Sequence, residues 1–85
     1  MRAPVDINTR YASIAVEQWK KFDSEIYITV NDNKRRISGA SQLGILSLCI
    51  KHGDLINFIL INDDETIIEK EMNKITELIK SFERR

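Results

Sequence analysis

Three side chains in this sequence carry groups that could take part in group transfer: its only histidine, His52, its only cysteine, Cys49, and Ser41. An imidazole can accept and pass on a proton or a phosphoryl group near neutral pH. A lone histidine between Lys51 and Gly53, however, reads as a surface residue or cap at the end of a helix. A thiol reacts as its thiolate, and no basic cluster stands near Cys49 in sequence to lower its pKa, so the expectation is a small apolar packing residue. Ser41 precedes an apolar run, where a serine serves as a helix N-cap. Asp63-Asp64-Glu65 has acidic density without the EF-hand spacing, and a helix start that favours negative charge accounts for it. No metal site and no cofactor are expected.

The elements that must position these groups belong to a short chain. Its 85 residues suit a single domain over 1–85 with one core, and 42% hydrophobic with 31% charged residues is an ordinary globular composition. Thirteen basic residues balance 13 acidic ones, so there is no electrostatic footprint for nucleic acid or an anionic membrane. The Lys34-Arg35-Arg36 run reads as a solvated turn. One cysteine cannot form an internal disulfide, which fits a reducing compartment. The start has no apolar stretch of signal-peptide length, and no run of about 18 apolar residues occurs, so a cytoplasmic location is expected.

From Thr9 to Phe22, Ala12, Ala15, Val16, Trp19 and Phe22 recur at helical spacing, with Asn8 or Thr9 as N-cap. Ile26, Ile28 and Val30 alternate with polar residues and predict a half-buried strand over 25–31, followed by a turn at Asn31-Asp32-Asn33. Lys34 to Ser38 is at best a short edge strand. A short helix over 42–51 is expected to close at Gly53, although Gly44 weakens it. Asp54 to Ile61 is nearly all apolar and reads as a central strand buried on more than one side. Asn62 or Asp63 begins a last helix with the stripe Ile68, Met72, Ile75, Ile79, Phe82, and Asn62 with Glu65 suggests a capping box. Adjacent strands with returning helices argue for a mainly antiparallel sheet covered on one face.

In this order and spacing the sequence resembles the HPr family, the phosphocarriers of the bacterial sugar phosphotransferase system, and their Crh-type regulatory relatives. Ala3-Pro4-Val5-Asp6-Ile7-Asn8-Thr9-Arg10 is similar to the family's active-site approach and histidine-x-arginine-proline motif. Asn8 falls on the histidine, Arg10 on the phosphate-binding arginine and Tyr11 on the proline. Lys21-Phe22-Asp23-Ser24-Glu25-Ile26 is similar to the end of the first helix and the start of the following strand. Ser41-x-Leu43-Gly44-x-Leu46-Ser47-Leu48 is similar to the segment of the regulatory serine. Gly53 and the apolar run after it match the last strand. The resemblance implies an α+β open-faced sandwich: a four-stranded sheet with a truncated first strand, covered on one face by three helices.

The departures from the pattern bear on activity. The carrier reaction needs an imidazole nitrogen, and an amide nitrogen, whose lone pair is delocalised into its carbonyl, cannot replace it. The resemblance therefore implies a non-enzymatic regulatory or adaptor protein that does not carry phosphate on histidine and is open to phosphorylation on Ser41. A phosphate there would meet free backbone N–H groups at a helix start. Ala40 and Gln42 depart from the family's pattern around that serine. The implied partner surface comprises Thr9, Arg10, Tyr11, Ser13, Ile14, Gln42, Leu43, Gly44, Leu46 and Ser47. Ile14 lies off the apolar stripe of its helix and is expected to be exposed.

The expected partners are proteins: a serine kinase, and a transcriptional regulator or phosphotransferase components. Two alternatives stand beside this reading: a phosphocarrier working through another residue, and a small-molecule sensor domain of ACT-like type. A short first strand would also leave the edge of Leu55 to Ile61 open and favour a homodimer through the sheet edge.

Overall fold

In the computed structural model the described residues are 1–84. Helix α1 (Thr9–Trp19) is followed by strands β1 (Glu25–Val30) and β2 (Ile37–Ser38). Helix α2 (Gln42–Ser47), strand β3 (Ile56–Ile61) and helix α3 (Glu65–Ser81) complete the order, and α3 runs into a 3-10 turn at Phe82–Arg84. The sheet has the order β2-β1-β3, and both pairings are antiparallel. The fold class is the expected α+β sandwich with three helices.

The N-terminal segment contributes an isolated antiparallel bridge, Arg2 to Leu55, in place of a fourth strand. Met1 and Ile56 exchange both backbone bonds, Met1 N to Ile56 O at 2.9 Å and Ile56 N to Met1 O at 2.8 Å. Ala3 N donates to Asp54 O, and Gly53 N donates back to Ala3 O. β3 is consequently an edge strand and β1 the central one, which reverses the expectation drawn from β3's apolar run. The apolar residues of β3 serve two faces: Ile56 is buried against the helices, and Ile61 is 49% exposed.

Periodicity located the core correctly. Ala12, Ala15, Val16 and Trp19 of α1, Ile26, Ile28 and Val30 of β1, and Ile75, Ile79 and Phe82 are all buried in one cluster. Ile68 and Met72, expected in the same stripe, are only half-buried. The ring of Trp19 meets Phe58 edge-on at 5.6 Å, and Tyr11 stacks on Phe82 at 4.5 Å. α1 ends before Phe22, because the backbone tightens into i→i−3 bonds from Lys21 to Gln18 and Phe22 to Trp19.

Other boundaries moved for local reasons. α2 stops at Ser47 and not near Gly53; the left-handed residue that ends it is Cys49, at φ 50°. Cys49 is exposed, contrary to the expectation that it packs. Gly53, at φ 90°, serves a separate turn in which Asp54 N bonds Lys51 O. The cap of α3 is Asp64, whose carboxylate accepts from Thr66 N, while Asn62 Oδ1 accepts from Asp64 N. The capping box between Asn62 and Glu65 does not form.

Candidate functional site at the starts of two helices

Asn8 leaves the extended segment at φ −89° and ψ −177°, and its Oδ1 accepts the Tyr11 backbone N–H at 2.9 Å. That bond satisfies one of the free donors at the start of α1. It also requires an N–H on residue 11, which a proline there could not supply. Ser41 plays the same part for α2: its Oγ accepts from Gly44 N at 3.0 Å. Gln42 Nε2 reaches Thr9 O at 3.5 Å, so the first turns of the two helices lie side by side.

Gly44 is needed for this arrangement. A Cβ at that position would lie 2.5 Å from Ile37 Cγ2 and 2.9 Å from Ser41 Oγ. The residue that weakens the helix by propensity is the one that lets α2 sit down on β2.

The chain leading into α1 is pinned to the loop after α2. Ile7 N donates to Ile50 O at 3.0 Å, and His52 N donates to Asp6 Oδ1 at 2.8 Å. Through the Ile7–Ile50 bond the exposed Cys49 comes to the same end of the molecule as Asn8. Sequence separation hid this neighbourhood; the only local hint was an asparagine three residues before a position free to donate its N–H.

Of the expected surface, Thr9, Arg10, Ser13, Leu43 and Ser47 are exposed, and Leu43 is 81% exposed. Tyr11, Gln42, Gly44 and Leu46 are half-buried. Ile14, expected in solvent, is half-buried and packs on the core, so it adds little to an exposed apolar patch. Tyr11 is likewise occupied, its ring on Phe82 and its hydroxyl donating to Phe82 O at 3.3 Å. His52 is exposed, as expected of a residue outside the core.

Two carboxyls away from the paired helix starts are held below the ordinary range. Asp54 is lowered first by the Lys51 N–H and then by the Asn31 side chain, against a smaller opposing effect of burial. Glu71 is 6% exposed yet lies just under the surface, where it lines a groove with Lys70 and Lys74. Burial acts against its charge, but the backbone N–H groups of Asp23 at 2.8 Å and Ser24 at 3.0 Å and the charge of Lys74 outweigh it. The Ser24 hydroxyl also favours the carboxylate by its nearness, although no bond of good geometry reaches it.

The family model described as "PTS HPr component phosphorylation site" matches residues 1–81. The chain belongs to the HPr family. HPr-C-His from Thermoanaerobacter tengcongensis superposes with a TM-score of 0.76 at 22% identity, covering 100% of this chain and 92% of that one. The histidine-containing phosphocarrier protein of a Mycoplasma gives 0.67 at 22% identity, over 93% of this chain and 89% of that one. Crh of Bacillus subtilis, described as a swapped, intertwined dimer, gives 0.72 at 18% identity, over 95% and 87%. At these identities the likeness concerns the fold. A search of curated proteins finds no match. Among the described residues no helix is long and apolar enough to cross a membrane.

Proposed function

We propose that this HPr-family chain is a cytoplasmic regulatory or adaptor protein. It does not carry phosphate on histidine, it is a substrate for phosphorylation on Ser41, and it binds protein partners through Arg10 and the exposed residues of the two helix starts. The observation that carries the reading is the Asn8 cap. In the HPr-like register Asn8 takes the histidine's place, its Oδ1 is engaged by the Tyr11 N–H, and its amide nitrogen is no nucleophile. Tyr11 in place of the family's proline supplies the donor that this cap needs, so the two departures support each other. Arg10 is exposed beside them and free to meet an anionic group on a partner. Self-association through the β3 edge belongs to the same reading.

A second reading, phosphoryl transfer through another residue, draws on the exposed Cys49 at the Asn8 end. One experiment separates the two. The protein is incubated with phosphoenolpyruvate and enzyme I, then separately with ATP and the serine-directed HPr kinase, and any phosphate is located by mass spectrometry. The regulatory reading expects none in the first reaction and phosphate on Ser41 in the second. Phosphate on Cys49 or His52 in the first would overturn it, as would an unmodified Ser41 in the second. Asn8→His combined with Tyr11→Pro, which removes the cap and restores the motif, is expected to gain labelling at residue 8.

A further inference from the structure

Between the C-terminal end of α1 and the middle of α3 lie two adjoining hollows, of about 370 and 320 Å³. They share Gln18, Phe22 and Lys74 and so form one groove. Its two halves differ in chemistry. The first carries Lys21 on the wall that follows α1, and Lys70 and Lys74 on one face of α3. Glu71 lies beneath these amines, but it is 6% exposed and its two oxygens already accept the backbone N–H groups of Asp23 and Ser24. Three exposed amines therefore face one exposed carboxylate, Asp23, which also lines a separate hollow with Glu25 and Asp63. The second half is walled by Trp19, Phe22 and Leu78, with Glu77 beside them. The Lys74 amine stands 6.0 Å from the centre of the Phe22 ring, where the two halves meet.

We propose that this groove is a second docking surface, for a segment of a partner protein in which acidic residues adjoin an apolar side chain. The inference rests on the adaptor reading above and gives that adaptor a place for a further partner. Charge complementarity selects the occupant: anionic side chains meet Lys21, Lys70 and Lys74, and the apolar one covers Phe22 and Leu78. Glu77 keeps acidic residues away from the apolar half, which fixes which end of the segment lies where. A compact inorganic anion would satisfy the amines and leave Phe22 and Leu78 uncovered. Along α1 the groove is roughly 15 Å from Arg10, so the helix starts and the groove can be occupied at the same time.

The probe is a synthetic peptide of four glutamates followed by one leucine, titrated at low salt into the ¹⁵N-labelled 85-residue chain. Backbone amide shifts are expected over residues 18–23 and 67–78, and the affinity should fall as salt is added. Lys70→Gln combined with Lys74→Gln changes only exposed side chains and should weaken binding roughly tenfold or more. Replacing the peptide's leucine by serine should weaken it as well. No shift in these segments, or a double variant that binds as the parent does, overturns the groove. Shifts centred on Arg10 and Leu43 would assign the acidic segment to the helix starts, which overturns this inference and leaves the adaptor reading standing. Equal binding of the serine peptide, or of inorganic phosphate at the same amides, would make the groove an anion site and not a docking surface. The kinase reaction described above tests the adaptor reading at Ser41 without involving the groove, so failure of one is distinguishable from failure of the other.

Discussion

Glu71 is a charge on a position that apolar periodicity would fill with another isoleucine, and two backbone N–H groups explain why it is tolerated. Ionised Glu71 fastens the turn between α1 and β1 to α3. Its carboxyl is held below the ordinary glutamate value of 4.5, so the unfolded chain binds the proton more readily than the folded one. The stability it contributes is therefore complete above about pH 4.5 and is lost as pH falls through the lower folded value. Glu71→Gln keeps the shape and loses the charge. It should cost about 1–2 kcal/mol near pH 7, at the low end for a charged hydrogen bond because water still screens the groove. The difference from the parent should shrink steadily in urea titrations as pH is lowered below about 4.5. Nothing in the sequence around Glu71 showed this role, since its partners are 47 and 48 positions away.

α2 shows the opposite balance between local preference and packing. Replacing Gly44 by alanine gains about 1 kcal/mol of helix propensity. The added methyl must stand 2.5 Å from Ile37 Cγ2, a conflict between two elements that costs about 1–3 kcal/mol and commonly more than the gain. Gly44→Ala is expected to lower the melting temperature by several degrees, and a higher one in calorimetry would show that α2 can move off β2. The same competition explains which elements were legible. α1, β1 and α3 declare themselves because their apolar spacing coincides with the face they bury. The apolar spacing overstates α2 because Leu48, Cys49 and Ile50 continue its apolar run, whereas only Ile50 of the three is fully buried and Cys49 turns the chain. The apolar run of β3 does not distinguish a strand covered on both sides from an edge strand with a partly apolar outer face. At the candidate site, Asn8 and Ser41 were legible as caps, and their nearness across 33 positions was not.

Across the whole molecule, α3 closes the core by returning Phe82 to Tyr11, 71 positions earlier in the chain. Phe82 is among the most completely buried side chains, and a chain of this length has a net stability of roughly 4–13 kcal/mol. Phe82→Ala is expected to remove about 3–5 kcal/mol, a large share of that total. Urea melts followed by far-ultraviolet circular dichroism should then show a much lower midpoint; an unchanged midpoint would mean that the last turn is not part of the cooperative unit. The packing of Trp19 against Phe58 has a consequence for how such transitions can be seen. Trp19 is the only tryptophan, and its indole N–H is buried away from solvent with no hydrogen-bond partner among the described residues. An excited indole held that way cannot relax against moving water dipoles. The folded chain should emit at short wavelength from a single, homogeneous fluorophore, and the shift to the red on unfolding reports the separation of α1 from β3 without any added label.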